Sequence, residues 1–193
     1  MSQIKYFSFK SNIEKKTIIL RLDLNVPLKD KKIQDDTRIL LIIPFLKKLL
    51  EKKAKILIIS HLGRPSENKK SGLSLMPIFN HLKDVFGKQI EFYNGDFNSE
   101  LSKKLSEASS SKIILTENIR FFNEEMKDDI NFAKKIAALG DMYINDAFSC
   151  SHRKQASVHA LPSLFRESYA GPLFQREVDA IDSVISKNRH PVT

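Results

Sequence analysis

The chain has 193 residues, 41% hydrophobic and 28% charged, a length that suits one well-cored α/β domain with an appended helix and a composition that excludes a disordered or fibrous chain. Its formal charge of +9 raises nucleic acid and anionic lipid as partners. The excess, however, is lysine in scattered pairs such as Lys15-Lys16, Lys31-Lys32, Lys47-Lys48, Lys52-Lys53 and Lys69-Lys70, the pattern of solvated faces, and no basic stretch carries the interleaved aromatics of a single-strand groove.

In chain order, β-branched runs alternate with helical periodicity. The first strand is expected at Thr17 to Asp23. A helix from Thr37 to Lys52 follows, with Ile39, Ile42, Ile43, Leu46, Leu49 and Leu50 on one stripe, Asp36 or Thr37 as its cap, and Pro44 kinking it by removing a backbone donor. The pattern then predicts a strand at Lys55 to Ser60, a helix at Ser74 to Phe86, a strand at Gln89 to Tyr93, a helix at Ser99 to Ala108 and a strand at Lys112 to Thr116. A helix at Asp128 to Leu139, closed by Gly140 as a C-cap, leads to a strand at Met142 to Asn145, and a weaker strand is expected near Ser157 to Leu161. The final helix, about Gly171 to Ser186, carries Phe174, Val178, Ile181, Val184 and Ile185 at helical spacing; Asn188 to Thr193 then reads as a turn leading toward a further strand. This order implies right-handed crossovers and a doubly wound parallel sheet of about six strands flanked by helices, a three-layer α/β sandwich. The expected division is a domain over residues 1–170, followed by a connecting helix and the start of something else over 171–193.

Ligands of open α/β sheets bind beyond the carboxyl ends of the strands, so the residues just after each strand carry the chemistry. The first strand ends in Arg21-Leu22-Asp23-Leu24-Asn25-Val26-Pro27, where charged and apolar residues alternate; this needs a polar cavity or ligand, or an internal pair of Arg21 with Asp23. The second runs into Ser60-His61-Leu62-Gly63-Arg64-Pro65, where Gly63 permits unusual dihedrals and presents His61 and Arg64 to the crevice. The fourth runs into Glu117-Asn118-Ile119-Arg120, and the fifth into Asn145-Asp146-Ala147-Phe148 with His152-Arg153 close behind. Arg38 lies in the first turn of a helix, a misplaced cation unless an anion is bound there. Guanidinium groups bind carboxylate and phosphate in a planar, bidentate way, so several arginines at equivalent strand ends indicate a small, multiply anionic ligand, whereas nucleic acid would want a long stripe.

The six glycines are too far apart for either Gly-rich phosphate loop, so no nucleotide site is recognisable. The five histidines form no close pair at metal-ligand spacing, and a Cys150–His152 nucleophile has only nearness in sequence to support it. A single cysteine excludes an intrachain disulfide and fits a reducing compartment; the first residues lack the apolar core of a secretion signal, and the longest apolar run, Ile39 to Leu46, is too short to span a bilayer. A cytoplasmic protein is expected.

At these strand ends the chain resembles a known family. RLDLNVP (21–27), DDTRI (35–39), SHLGRP (60–65), ENIRFF (117–122), NDAF (145–148) and HRKQAS (152–157) are similar, in order and spacing, to phosphoglycerate kinase motifs, and the resemblance runs from about residue 4 to the end. It implies the first of two Rossmann-like domains, the one that holds 3-phosphoglycerate or 1,3-bisphosphoglycerate, with magnesium and ADP or ATP held by a C-terminal nucleotide domain absent from this chain, in a monomeric glycolytic enzyme. By the same resemblance Asp23 and Asn25 hold the hydroxyl and carboxyl end of the glycerate, with Leu24, Leu62 and Gly63 beside them. His61, Arg64, Arg120 and Arg153 clamp the phosphate that is not transferred, and Arg21 and His152 support this basic pocket. Arg38 neutralises the phosphoryl group in flight and is the catalytic residue. One departure stands out: Ser149-Cys150-Ser151 follows NDAF where the family usually has Gly-Thr-Ala. The competing readings are a non-catalytic phosphoglycerate-binding module and, more remotely, a basic nucleic-acid-binding domain.

Overall fold

A computed structural model of the chain describes residues 4–65 and 72–186. Six parallel strands form the central sheet: β1 (Thr17–Leu22), β4 (Lys55–Ser60), β5 (Ile90–Tyr93), β6 (Ile113–Thr116), β7 (Met142–Asp146) and β8 (Ser168–Ala170). Their spatial order is β5-β6-β4-β1-β7-β8. Beside them a two-stranded hairpin pairs β2 (Leu28–Lys29) with β3 (Lys32–Ile33). The helices are α1 (Thr37–Glu51), α2 (Met76–Phe86), α3 (Ser99–Glu107), α4 (Asn123–Met126), α5 (Ile130–Ala137), α6 (Ala160–Ser163) and α7 (Pro172–Ser186).

Alternation along the strands sorts the core into two faces. Ile18, Leu20 and Leu22 of β1, with Ile56 and Ile58 of β4, meet α1 and α2 through Ile39, Ile42, Leu46, Ile78 and Leu82. Ile19, Leu57, Ile59 and Tyr143 point the other way, onto Leu101 of α3, Phe132 and Ile136 of α5, and Leu161 of α6. Each such fully buried aliphatic side chain contributes about 1.5–3 kcal/mol, so burial on both faces fixes the registers Leu20↔Ile58 and Leu20↔Ile144. The result is the predicted three-layer α/β fold.

β1 leads over one face to β4, while the chain leaving β6 crosses to the far side of β1 to form β7. The carboxyl ends of β1 and β7 thus part in opposite directions and open a crevice between them. The predicted helices and five of the strands lie where the sequence places them, within a residue or two.

The weaker strand near Ser157 to Leu161 does not form. Residues there make turns and then α6, and the Ser157 N–H and hydroxyl go to the Glu125 carboxylate (2.8 and 2.6 Å) instead of a sheet ladder. The sixth strand is β8, too short to show a period; the Ala170 N–H and C=O also pair with Lys5 and Phe7, which extends this edge of the sheet. Neither Asp36 nor Thr37 caps α1 with its side chain; the Asp35 carboxylate takes the Thr37 N–H at 2.9 Å. Gly140 is not a left-handed cap either: its φ is not positive, and a Cβ there would lie 2.6 Å from the Ile19 side chain and 3.1 Å from the Thr17 carbonyl. Close approach to β1 is what requires glycine at that position. The expected turn over residues 188–193 lies outside the described residues.

Candidate functional site

Arg21, the largest fully buried side chain, stands at the end of β1 on the face opposite α1. Its Nε donates to Ser157 Oγ at 3.1 Å, Nη1 to the Leu22 carbonyl, and Nη2 approaches His61 Nδ1 at 3.0 Å and Cys150 Sγ at 3.6 Å. The Ser157 hydroxyl in turn donates to Glu125, whose carboxylate is wholly buried. A buried cation is tolerable only with such partners, so the chain Arg21–Ser157–Glu125 carries the counter-charge inward. Burial pushes the Glu125 carboxyl up, while Arg21 and the Ser157 bonds pull it down. Asp23 does not pair with Arg21: it reaches across to Arg38 at the start of α1.

His61 is buried beside this group. Burial, then the charges of Arg21, Arg120 and Arg153, hold its pKa down to about 3. The imidazole is therefore neutral near pH 7, and because Arg21 donates to Nδ1 the proton sits on Nε2, which is left as a hydrogen-bond donor.

Asn118 is the brace that brings the loops after β4 and β6 together. Its Oδ1 accepts from Leu62 N–H (3.3 Å) and Arg120 N–H (3.1 Å), and its Nδ2 donates to the Leu62 and Leu73 carbonyls (both 2.8 Å). Gly63 turns with φ +59°, and a Cβ there would strike Leu73 at 2.6 Å. The Gly63 carbonyl receives Arg120 Nη1 at 2.7 Å, and its N–H donates to Asn25 Oδ1 at 2.8 Å. The Leu24 N–H is likewise taken up, by Ser60 Oγ at 3.0 Å.

Arg120 is 7% exposed, and burial followed by the charges of Arg153 and Arg21 lowers its pKa. The Nε atoms of Arg120 and Arg153 are both buried and have no hydrogen-bond partner among the described residues. Three guanidinium groups thus act on one imidazole, two of them with donors unspent. Such an arrangement is repulsive by itself and is relieved by an anion with several acceptor oxygens.

On the other side of Arg21 lies a crevice of about 460 Å³ lined by Asp23, Arg38, Phe148, Ser149, Asp146 and Leu173, among others. Asp23 Oδ2 is paired with Arg38 and accepts the Ser149 hydroxyl at 2.5 Å, while Oδ1 accepts the Asn25 N–H at 3.1 Å. Burial raises the Asp23 carboxyl, but Ser149, Arg38 and Asn25 together bring it below the ordinary range. The misplaced cation at the start of α1 thus faces a carboxylate. Asp146 Oδ1 accepts the Phe174 N–H at 2.8 Å at the start of α7, its Oδ2 is buried and unpartnered, and burial pushes its pKa up to about 6.

Of the residues predicted from sequence, Arg21, His61, Arg120 and Arg153 form one electrostatically coupled cluster, to which Gly63 is joined through Arg120 and Asn25, while Asp23 and Arg38 line the neighbouring crevice. Leu24 and Leu62 are buried with their N–H groups bonded internally. Arg64 and His152 are exposed and stand outside this bonded group.

The phosphoglycerate kinase family model matches residues 9–193. The chain belongs to the phosphoglycerate kinase family. It is 41% identical over 182 residues to a phosphoglycerate kinase of Wolbachia pipientis wMel, covering 94% of this chain and 45% of that protein. A chloroplastic phosphoglycerate kinase of Volvox carteri is 40% identical over 185 residues, covering 94% of this chain and 40% of the relative. The solved phosphoglycerate kinase of Coxiella burnetii superposes with a TM-score of 0.83 at 33% identity over 96% of this chain and 46% of its own; that of Pyrococcus horikoshii OT3 gives 0.85 at 28% identity. The chain therefore spans about half the length of the phosphoglycerate kinases it matches.

Four residues that hold the site together escaped sequence reasoning. Asn118 sits inside a quoted motif, flanked by two strand-end charges, and that position was the available signal. Ser157 closes the HRKQAS motif, but its partner Arg21 lies 136 residues away, and Glu125, 32 residues from Ser157, gave no signal. Asp146 also sits in a motif, but its bond to α7 spans 28 residues.

Proposed function

We propose that this chain is the N-terminal, substrate-binding part of a phosphoglycerate kinase, which transfers a phosphoryl group reversibly between 1,3-bisphosphoglycerate and ADP in glycolysis. The observation that carries this reading is the convergence of three guanidinium groups, Arg21, Arg120 and Arg153, on a neutral His61. That is a donor set for a phosphate dianion. A bound 3-phosphoglycerate places its phosphate among Arg120, Arg153 and the His61 Nε2–H, with Arg64 closing over it from the exposed loop.

Asp23 and Asn25 orient the hydroxyl and carboxyl end. Asp23 is ionised at neutral pH and accepts from a hydroxyl, while Asn25 already aligns the Gly63 backbone. Phosphoryl transfer then asks the protein for alignment, exclusion of water and charge neutralisation. Arg38, half-exposed and paired with Asp23, is the cation that turns toward the phosphoryl group leaving the C1 carboxylate. By the same reading, magnesium with ADP or ATP would be held by a C-terminal nucleotide domain.

Support for a missing partner half comes from α7. Ile181, Val184 and Ile185 are 44%, 54% and 71% exposed, an apolar stripe that a following nucleotide domain would cover. We expect the 193-residue chain alone to bind 3-phosphoglycerate without turnover, in the cytoplasm and as a monomer. The test is amide NMR with added 3-phosphoglycerate and a coupled ATP assay on the same sample. Shifts centred on His61 to Gly63 and Asn118 to Arg120, with no phosphoryl transfer, are expected; shifts confined to the lysine-rich surfaces would contradict the assignment.

A further inference from the structure

We propose that the Ser149 hydroxyl is a positioning group for the Asp23 carboxylate, holding it in place to receive the hydroxyl of a phosphorylated hydroxy acid. This rests on the substrate reading given above.

Asp23 lies past the end of β1, where no sheet bond fixes it, and its carboxylate is oriented by three donors. The Asn25 N–H holds Oδ1; Arg38 and the Ser149 hydroxyl hold Oδ2. Two of these differ in length and in what the proposed reaction asks of them. Arg38 is a long side chain, 50% exposed, and its proposed work requires it to turn away from Asp23. Once it does, Ser149 is the remaining side-chain donor on Oδ2.

Ser149 is well placed for this. It sits in a single 3-10 turn, Phe148–Cys150, closed by the Cys150 N–H on the Ala147 carbonyl at 3.3 Å. On one side Cys150 is buried against Arg21, and on the other the Phe148 ring packs edge-on against Phe174 of α7 at 5.2 Å. A hydroxyl on so short and doubly anchored a turn loses little further freedom when it bonds, so its hold on the carboxylate is pre-organised.

The charged groups that face Asp23 are Arg38 from α1 and, across the crevice, Asp146 from β7 with Arg176 and Glu177 from α7; His61, from the loop after β4, is neutral. Among the influences that keep Asp23 ionised, Ser149 acts most strongly, ahead of Arg38. Removing the hydroxyl therefore leaves a carboxylate that protonates at higher pH and turns more freely.

The experiment follows the Asp23 carboxyl carbon by NMR against pH in the 193-residue chain, in the wild type, Ser149→Ala and Ser149→Thr, with a 3-phosphoglycerate titration at each pH. Ser149→Ala is expected to raise the Asp23 midpoint by about half a pH unit or more. The acid limb of 3-phosphoglycerate affinity should move with it, while Ser149→Thr, which keeps the hydroxyl, stays near wild type. An unmoved Asp23 midpoint in Ser149→Ala overturns the role of Ser149. A wild type that takes up no 3-phosphoglycerate overturns the substrate reading and with it the positioning role, and the Asp23 midpoint then shows separately whether the bond itself holds the carboxylate.

Discussion

His61 and Arg21 show how much of the site depends on one proton. With Arg21 Nη2 donating to Nδ1 at 3.0 Å, protonating the imidazole would remove its acceptor and add a fourth cation to three guanidiniums. The folded pKa of about 3 lies below the ordinary 6.5, so the unfolded chain takes up a proton first as pH falls. This contribution to stability is complete above pH 6.5 and is lost as pH drops from there toward 3. Nitrogen-15 NMR of the ligand-free chain should find His61 neutral with its proton on Nε2 from pH 5 to 7.5; an imidazolium at pH 6 would contradict the arrangement. Arg21, His61 and Arg120 were legible in the sequence because they end β1, follow β4 directly and follow β6 within four residues. Glu125, Ser157 and Asn118 were not, because a residue that holds another is defined by contacts far along the chain.

At the scale of elements, α7 is fastened to the sheet through Asp146. Gly171 closes onto Asn145 by an N–H bond of 2.8 Å, and a Cβ on Gly171 would lie 2.5 Å from the Asp146 carboxyl, so the carboxyl and the helix start are packed as one unit. Burial raises the Asp146 pKa from 3.8 to about 6, which means the folded state holds a proton that the unfolded state has lost between those values. Stability from this group is present below pH 4 and falls as pH rises toward 6. Asp146→Asn keeps an oxygen for the Phe174 N–H and removes the buried charge. Its denaturant midpoint, measured from pH 4 to 8, should therefore lack this decline and exceed wild type above pH 6; an unchanged slope would show that Asp146 is not the titrating group.

Elements with a clear period, such as α1 and β4, were legible in the sequence. The β2–β3 hairpin was not, since two-residue strands have no period and its turn takes positive φ at Asp30 and Lys31 without a glycine to announce it. The weak strand at Ser157 to Leu161 failed for the opposite reason: a strand-like composition was diverted by one buried carboxylate.

For the whole molecule, the two-layer core and the β1/β7 switch point place a cationic cup of Arg21, Arg120 and Arg153 around His61, with the crevice and α7 beside it, on one rim of the sheet. Under the proposed function, a complete enzyme would bind substrate at the cup and use Arg38 in catalysis. Arg38→Ala there should cost about 3 kcal/mol or more of transition-state stabilisation, read as a fall in kcat, because a preorganised charge would be missing only when the phosphoryl group is in flight. A kcat near wild type would remove Arg38 from the catalytic role.

The cup itself is tested most directly by calorimetric titration of 3-phosphoglycerate into the wild-type chain, Arg120→Ala and Arg120→Lys. The expected result is a weakening of about 1.5–3 kcal/mol for Arg120→Ala, with Arg120→Lys in between because an ammonium lacks the fork that reaches both Gly63 and the ligand. Equal affinity across the three proteins, with each shown to be folded, would contradict the phosphate cup.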